Sequence, residues 1–455
     1  MPYPNEKGSS SNKMRNQEPR IKRILGLNRR HVALTSIFVN FSWLGLERVV
    51  RLTIGLLLSA WLARYLGPKE FGVLNFSIAF VALFSVFASF GLNSVTSREL
   101  TQRPQDKHII LGSVCTIQLF GNILLILLAT FSISMLPNPP PQAAIFVAII
   151  SFGHIGKAAN FSRIWFESQT KSKFIAATEI ILFSLLALTR IILLVSNAPL
   201  SAFVWTICAE SLLTGMALVA VYSLNNKGEL TRLKPKISEI KWMLSECWPL
   251  VLSGGLVLIN FNLDKIMLAQ IAGDFEVGIY TAATRLVESL NFIPLAVSAS
   301  VAPALARAAQ RSPLEYSNSS RKVYTALAAI SILIGFCLFI TSNTIINVLY
   351  GVDFAPSSTI LSIHSWALIF VFHISFRTRL HTIEHKQRII LSFSCLTVLV
   401  NLVCNLLLIP RWGALGASWA SLASWVSSAL IFPLFTSETR RQMRSLIKKP
   451  RPSNH

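Results

Sequence analysis

The sequence has few charged residues and no long polar stretch between its apolar segments. Only 14% of its 455 residues are Asp, Glu, Lys or Arg, whereas soluble domains carry about 25%. Acidic residues are the scarcest, at 20 against 42 lysines and arginines. Mean hydropathy is +0.56, and no connecting loop is large enough to be a soluble domain. These deficits exclude an ordinary soluble protein, and the placement of the cations argues against nucleic-acid binding.

Motifs that carry catalysis or bind nucleotide phosphates are also missing. The sequence contains no H-E-x-x-H, no G-x-x-x-x-G-K-[ST], no nucleophile elbow and no cysteine–histidine cluster. Its six cysteines are scattered and form no C-x-x-C pair, so we expect neither a disulfide framework nor a metal site. We therefore predict a protein that is not an enzyme, with no catalytic residue, no metal and no cofactor.

Twelve apolar stretches fill the chain instead. Each is long enough for a helix that crosses a bilayer, which needs roughly 20 predominantly apolar residues. The stretches are residues 36–62, 71–96, 109–135, 143–166, 174–196, 202–223, 246–271, 277–305, 324–349, 356–380, 388–409 and 414–436. The sequence therefore predicts an all-α integral membrane protein with about 12 transmembrane helices.

The cations lie mainly on one side of this predicted arrangement. The two tails and every second link together hold 33 of the 42 lysines and arginines. The positive-inside rule then places these segments and both termini in the cytoplasm. Residues 1–30 lack an apolar core, so we predict a disordered basic tail rather than a signal peptide. Residues 438–455 form the second predicted basic tail.

A charged link divides the twelve stretches into six and six. We predict an N-terminal bundle at 31–224, a cytoplasmic linker at 225–243 and a C-terminal bundle at 244–437. The motif G-P-K-E-F-G-V begins at Gly67 after the first stretch, and G-D-F-E-V-G-I begins at Gly273 after the seventh. Both halves enter the membrane from the same side, which predicts two six-helix bundles in a parallel pseudo-two-fold repeat around a central cavity.

Ionisable residues inside the predicted spans are the candidate functional residues. They are costly in lipid, so they usually face a cavity or a partner. Arginine suits an anionic cargo because it binds phosphate through two hydrogen bonds and stays charged at depth. We expect five lumen cations to bind substrate: Arg48, Arg51, Lys157, Lys265 and Arg285.

Acidic residues at depth suggest ion coupling. The candidates are Glu47, Asp264 and Glu288, and either H⁺ or Na⁺ would suit them. Structural ion pairing, as in Glu47–Arg51 or Arg285–Glu288, is the alternative for individual residues, and we interpret His154 as a packing or hydrogen-bonding residue. The arrangement as a whole favours a wet, cation-lined cavity, because desolvating so many charges in a dry bundle would be expensive.

Four segments, spread over nearly the whole membrane region, carry recognisable motifs. They are A-R-Y-L-G-P-K-E-F-G-V-L-N-F-S-I-A-F (63–80), F-G-L-N-S-V-T-S-R-E-L (90–100), L-D-K-I-M-L-A-Q-I-A-G-D-F-E-V-G-I-Y-T-A-A-T-R-L (263–286) and I-P-R-W-G-A-L-G-A-S-W-A-S (409–421). In this order they resemble the polysaccharide-transporter family. Its members are the O-antigen-flippase-like proteins of the multidrug/oligosaccharidyl-lipid/polysaccharide exporter superfamily.

The resemblance implies a flippase of the bacterial inner membrane that moves oligosaccharide linked to undecaprenyl pyrophosphate by alternating access. Its implied partners are that lipid-linked cargo, membrane lipids, a coupling H⁺ or Na⁺ and other polysaccharide-assembly proteins. Carried over to this chain, Arg48, Arg51, Lys265 and Arg285 would face the lumen. Two alternatives stay open: a multidrug or metabolite antiporter of the same superfamily, and a membrane glycosyltransferase, polymerase or ligase.

Overall fold

The computed structural model describes residues 29–89, 91–226 and 229–447, and within them every regular element is helical, as predicted. Residues 1–28 and 448–455, most of the two predicted tails, lie outside the described residues. The α-helices are α1 Arg29–Ser89, α2 Leu92–Gln102, α3 Lys107–Ser134, α4 Ala143–Gly153, α5 Asn160–Ser168, α6 Ser172–Val195, α7 Leu200–Asn225, α8 Ile237–Ile271, α9 Asp274–Leu290, α10 Phe292–Arg311, α11 Pro313–Leu349, α12 Ser357–Ile383, α13 Gln387–Val426 and α14 Ser437–Ile447.

The described residues contain ten helical stretches that are long and apolar enough to cross a membrane. Two of them, Gly45–Gln102 and Gln387–Leu434, are 58 and 48 residues long. A single span needs roughly 20 residues, so each of these stretches is long enough for two spans. Each also contains a glycine with non-helical backbone angles, Gly67 and Gly413 respectively. Dividing the stretches at these glycines gives twelve spans, the predicted number.

The two repeat motifs open with glycines in the same backbone conformation. Gly67 has φ 71° and ψ 171°, and Gly273 has φ 93° and ψ 173°. A residue with a Cβ rarely adopts positive φ, so glycine lets the chain leave one helix and start the next within one residue. We call the end of the molecule where both turns lie the Gly67–Gly273 end.

The second glycines of the motifs, Gly72 and Gly278, bring the two motifs into contact. A Cβ on Gly72 would overlap the carbonyl oxygen of Asp274, and a Cβ on Gly278 would overlap that of Pro68. Each motif therefore packs against the first turn of the other. A reciprocal contact of this kind is what a local two-fold axis produces, and it supports the predicted parallel repeat.

Further contacts between the two predicted halves close the Gly67–Gly273 end. The Nη2 atom of Arg64 donates to the carbonyl oxygens of Asn347 and Val348, at 3.0 and 2.7 Å. The Nε2 atom of Gln270 donates to the carbonyl oxygen of Asn138 at 3.0 Å. Each predicted half therefore donates a side-chain hydrogen bond to a backbone carbonyl oxygen of the other half.

Ion pairs connect the helices at the opposite end. Arg98 pairs with Glu246 at 3.1 Å and Arg103 pairs with Glu239 at 2.6 Å. Glu239 belongs to the predicted linker, whose last residues form the start of α8 at Ile237. The division of the chain into two bundles at this linker stays a prediction.

Four predicted spans are interrupted in the structure, although apolar residues run through them in sequence. The breaks lie at Gly91, at a 3₁₀ segment His154–Ala159, at Asn291 and at a π-helical segment Ser427–Ile431. Irregular backbone at membrane depth is tolerated where it is buried in protein or lines a cavity. The last three breaks contribute residues to cavities described below.

The predicted C-terminal basic tail is in part a docked helix. In α14, Leu446 is buried, and the Nε2 atom of Gln442 donates to Glu384 at 3.1 Å. Glu438 pairs with Lys386 at 2.8 Å. The basic composition of this segment predicts a solvent-exposed tail. One face of the helix nevertheless carries an apolar side chain and groups that form hydrogen bonds and ion pairs, and this face packs against the bundle.

Candidate functional site: two cation-lined cavities

The larger cavity, of about 880 Å³, lies among helices α1 and α3 to α7, and we call it the N-terminal cavity. Three of the five predicted substrate cations line it: Arg48, Arg51 and Lys157. The sequence predicted these cations around a cleft between the halves. Instead, every residue of this wall except Leu258 comes from the first half of the chain. Side chains of α1, α5 and α7 turn inward to make a polar pocket inside the first half itself.

The 3₁₀ segment positions one wall of this cavity. A 3₁₀-helix has three residues per turn, so residues three apart lie in one line. This places His154, Lys157 and Asn160 along the cavity, where Lys157 Nζ lies 3.2 Å from His154 Nε2. The segment packs directly against α7. The two backbones are so close that a Cβ atom on Gly156 or on Gly215 would overlap the facing backbone.

Arg51 is the most heavily paired of the predicted cations. Its guanidinium lies 2.7 Å from Glu47, 3.2 Å from Glu210 and 3.6 Å from Glu179. The Glu47–Arg51 pair is the one that spacing in the sequence suggested. Contacts with Glu179 and Glu210, on α6 and α7, tie α1 to the far wall of the cavity.

Two arginines that were not among the predicted site residues, Arg163 and Arg190, belong to the same network. Arg163 pairs with Glu179 at 2.5 Å, and Arg190 pairs with Glu210 at 2.8 Å. Helix α6 extends to Val195, so Arg190 lies inside the helix. The acids of two neighbouring predicted spans, Glu179 and Glu210, could have indicated from the sequence that both arginines have partners inside the membrane region.

A second cavity, of about 590 Å³, lies between the halves, and we call it the interface cavity. Lys265 and Arg285, the other two predicted substrate cations, line it together with Glu288. Arg51 and Glu210 belong to the walls of both cavities, which therefore adjoin.

Within the interface cavity, the predicted pairing of Arg285 with Glu288 is replaced by another. Glu288 pairs with Lys265 on α8 at 3.1 Å. Arg285 Nη1 instead donates to Asn75 Oδ1 at 3.4 Å. The partner of Glu288 is therefore set by the neighbouring helix α8, which brings Lys265 close, and not by the i, i+3 spacing of Arg285 and Glu288 on one helix.

The balance of charge in the two cavities is positive. Their walls hold seven cations, Arg48, Arg51, Lys157, Arg163, Arg190, Lys265 and Arg285. They hold four acids, Glu47, Glu179, Glu210 and Glu288. Within the described chain, Arg48, Lys157 and Arg285 form no salt bridge. Three cations therefore remain available to a bound anion.

Asp264, a predicted ion-coupling residue, lies apart from both cavities. It is buried, and its Oδ1 atom accepts from Asn401 at 3.0 Å and from Asn405 at 2.6 Å. Its Oδ2 atom accepts from Tyr280 at 2.5 Å and from Ser421. These polar groups of α9 and α13 hold Asp264 inside the second half, and its role in ion coupling stays a prediction.

The partners of Asp264 were not among the residues predicted from the sequence. Asn401 and Asn405 are four apart in an apolar stretch, which places them on one helix face, and this was a usable signal. The Oδ1 atom of Asn405 is buried and has no hydrogen-bond partner among the residues that the structure describes. A carboxylate beside an unsatisfied amide oxygen suits a small cation.

Taken together, the helical fold and its cation-lined cavities define a polytopic α-helical membrane protein. The structure is similar to "Lipid II flippase MurJ, inward closed conformation", with a TM-score of 0.71, 16% identity, and 90% of this chain and 91% of that chain covered. It is also similar to the inward-facing conformation of a multidrug resistance MATE family transporter of the MOP superfamily. There the TM-score is 0.68 and the identity 13%, over 88% of this chain and 96% of that chain.

The chain belongs to the family described as "Polysaccharide biosynthesis protein", whose model matches residues 37–309, more than half of the chain. The resemblance stated from the sequence motifs is thereby confirmed at the level of the family. A curated relative, the "Capsular polysaccharide biosynthesis protein CapF" of Staphylococcus aureus, is 24% identical over 175 residues. That match covers 37% of this chain and 43% of the relative.

Proposed function

We propose that this protein is a flippase that moves oligosaccharide linked to a polyprenyl pyrophosphate across the bacterial cytoplasmic membrane. The observation that carries the proposal is the excess of cations over acids in the two adjoining cavities. A cavity that binds a cationic drug would need more acids than cations in its walls, because an excess of positive charge repels a positively charged cargo. The family and the curated relative both concern polysaccharide biosynthesis, which supports the same cargo.

The three cations without salt bridges are the proposed pyrophosphate ligands. Arg48 and Arg285 can each present two parallel N–H donors to a phosphate, and Lys157 supplies a point charge. The polyprenyl chain stays in the bilayer while the headgroup and its sugars enter the polar cavities. This division keeps the apolar tail in lipid and gives the charged group protein partners at a depth where it would otherwise be unsolvated.

We further propose that transport proceeds by alternating access and that both termini are cytoplasmic. The closed Gly67–Gly273 end then faces away from the cytoplasm, in agreement with the alternation of lysine and arginine along the chain. Release of the cargo requires the bonds from Arg64 and Gln270 across this end to break.

Asp264 is the proposed coupling residue. The carboxylate and the unpaired Asn405 Oδ1 offer oxygen ligands to Na⁺, and the same carboxylate offers a site for a proton. Glu47 and Glu288, the other two candidates, are each held by a cation of the cavities. Asp264 has no cationic partner among the described residues, and this makes it the acid most dependent on a bound cation.

An ion-dependence measurement tests this assignment. In purified wild-type protein, NaCl at constant ionic strength should raise the melting temperature above that in KCl if Na⁺ binds. In D264N the difference should vanish, while E288Q should keep it. Proton coupling predicts equal melting temperatures in the two salts but an acid-driven cargo movement that D264N abolishes. A sodium or proton effect that survives in D264N would contradict the role of Asp264.

Export in cells tests the cargo proposal. A strain that lacks the gene should lose surface polysaccharide and accumulate lipid-linked oligosaccharide, and the wild-type gene should restore export. The triple variant R48Q/K157Q/R285Q should insert normally yet fail to restore it. The matched control R307Q/K322Q/R441Q neutralises three exposed cations outside both cavities and should restore export fully.

The same experiment separates the alternative functions. Normal surface polysaccharide in the triple variant would contradict a cationic binding site. A change in drug sensitivity with unchanged polysaccharide would indicate an antiporter instead. Sugar transfer by the purified protein in liposomes would indicate a glycosyltransferase, polymerase or ligase.

A further inference from the structure

A third cavity, of about 460 Å³, lies within the second half of the chain, and we call it the C-terminal cavity. Helices α8, α10, α12 and α13 and the π-helical segment build its walls. Arg377, Arg379 and His381 line it, and none of the described residues of its wall is an aspartate or glutamate. This differs from the two cavities above, where four acids offset part of the positive charge.

Arg377 is a buried cation without an acidic partner. It is 4% exposed and forms no salt bridge within the described chain. Its Nη1 atom donates to the carbonyl oxygens of Ala429 at 3.0 Å and of Ser428 at 3.5 Å. These bonds satisfy one nitrogen, but they do not neutralise the charge. An uncompensated charge inside a membrane protein is expensive and marks a functional site.

Several polar atoms of the same wall have no hydrogen-bond partner. Arg377 Nε and both ring nitrogens of His381 are buried and unpaired, and His381 is only 3% exposed. Asn260 Oδ1, Asn291 Oδ1 and Ser298 Oγ are also buried and unpaired. Buried polar groups are nearly always satisfied, so the unpaired donors of Arg377 and His381 indicate a hydrogen-bond acceptor in the cavity. The two amide oxygens only accept hydrogen bonds, so they do not contribute to binding such a ligand. That ligand must accept hydrogen bonds from Arg377 and His381.

The remaining wall is apolar. Val257, Phe261 and Leu295 line the cavity and are 47%, 36% and 49% exposed. The cationic residues Arg377 and His381 lie near the end of α12, next to the link that joins it to α13. The sequence predicts this link to be cytoplasmic. Basic pockets between transmembrane helices on that side are typical binding sites of anionic lipid headgroups.

We propose that the C-terminal cavity is a second phosphate site, in which Arg377 and His381 bind the phosphate group of an amphiphile whose chain lies along Val257, Phe261 and Leu295. The site is separate from the two cation-lined cavities and does not depend on the cargo proposed for them. A lipid headgroup and a free phosphate offer the same chemistry to Arg377 and His381. Only the lipid uses the apolar wall.

Binding measurements on the purified full chain distinguish these sources. The probes are dioctanoylphosphatidic acid, dioctanoylglycerol, which has the same chains without phosphate, and inorganic phosphate. Phosphatidic acid should raise the melting temperature by roughly 5 °C at saturation, and dioctanoylglycerol should not. An equal shift with inorganic phosphate would assign the site to the free anion; no shift with either phosphate probe would overturn the proposal.

Two variants locate the site. H381F keeps a ring of similar size beside Phe393 and breaks no hydrogen bond, because both nitrogens of His381 are unpaired. R377Q removes the charge and retains an amide donor. Each should weaken phosphatidic acid binding about tenfold or more. H373F is the control for a buried histidine outside the cavity wall, since His373 lies two turns earlier on α12 and does not line the cavity. It also removes the hydrogen bond between His373 Nδ1 and the carbonyl oxygen of Ile369, so it is the more disruptive of the two histidine substitutions.

The measurements are repeated in the R48Q/K157Q/R285Q background, which removes binding at the other two cavities. The loss caused by H381F should be the same in both backgrounds. If R377Q fails to fold, H381F still decides. Wild-type affinity in H381F, or an equal loss in H373F, would overturn the proposal.

Discussion

At the scale of single residues, what distinguishes the cations of the cavities is their partners rather than their presence. Arg51 contacts three glutamates, whereas Arg48 on the same helix forms no salt bridge in the described chain. A cation surrounded by acids stabilises the helix packing, while one without an acid can bind an anion. Although the two arginines are only three residues apart, their different partners give them different roles.

This contrast predicts different effects on stability. R51Q leaves Glu47, Glu179 and Glu210 close together without their shared cation, and their repulsion should cost about 1–3 kcal/mol. This cost is smaller than that of breaking a fully buried ion pair, because the Arg51 side chain is 38% exposed and solvent screens its charge. R48Q should leave stability unchanged. Melting temperatures in detergent measure both, and equal values for the two variants would contradict the division of roles.

Residue identity at the site was largely readable from the sequence, and pairing was not. Any ionisable residue in an apolar stretch is a candidate, which is why Arg48, Arg51, Lys157, Lys265 and Arg285 could be named. The partner of Lys265 could not, because it depends on how α8 and α9 approach each other. The same holds for Arg377, whose burial follows from the packing of α12 rather than from its position near a predicted link.

At the scale of elements, glycine determines where helices meet. Gly72 and Gly278 join the two repeat motifs, and Gly156 and Gly215 join the 3₁₀ segment to α7. The turns at the repeat motifs were predictable, since a glycine after an apolar stretch is a standard helix terminator. The 3₁₀ segment was not, because its residues fit an α-helical pattern equally well.

The close packing of the 3₁₀ segment gives a sharp prediction. In G156A, the new Cβ overlaps the backbone of Ser211, so the segment must move away from α7 and carry Lys157 with it. We expect a melting temperature lower by several degrees and a loss of export.

The matched control for this substitution is G254A. Gly254 is helical and has nothing within 4 Å of its Cβ position, so alanine should be neutral or slightly stabilising there. Unchanged stability and export in G156A would show that the contact with α7 is not required.

At the scale of the whole molecule, the contacts are unequal at the two ends. The Gly67–Gly273 end is closed by backbone contacts and hydrogen bonds between the halves, whereas ion pairs of partly exposed side chains connect the helices at the opposite end. Exposed ion pairs contribute little to stability. Opening of the closed end is therefore the energetically demanding step of alternating access. The sequence predicted the repeat but not which end would be closed, because closure depends on long-range packing.

A reversible cross-link tests this step. Asn138 and Gln270 are in contact at the closed end and belong to opposite halves. In a background without the six native cysteines, which are all free, a N138C/Q270C disulfide should block export, and reduction should restore it. The two single variants should export normally with or without oxidant. Undiminished export by the oxidised double variant would mean that this end need not open.

The central claim is that cations without acidic partners bind the phosphate of a lipid-linked sugar during its passage. The most direct measurement is the movement of a fluorescent polyprenyl-pyrophosphate-linked oligosaccharide between the leaflets of liposomes that contain the purified protein. Wild-type protein and R307Q/K322Q/R441Q should move it at similar rates, and R48Q/K157Q/R285Q should be slower by about a hundredfold or more. Equal rates for wild-type protein and R48Q/K157Q/R285Q would contradict the account.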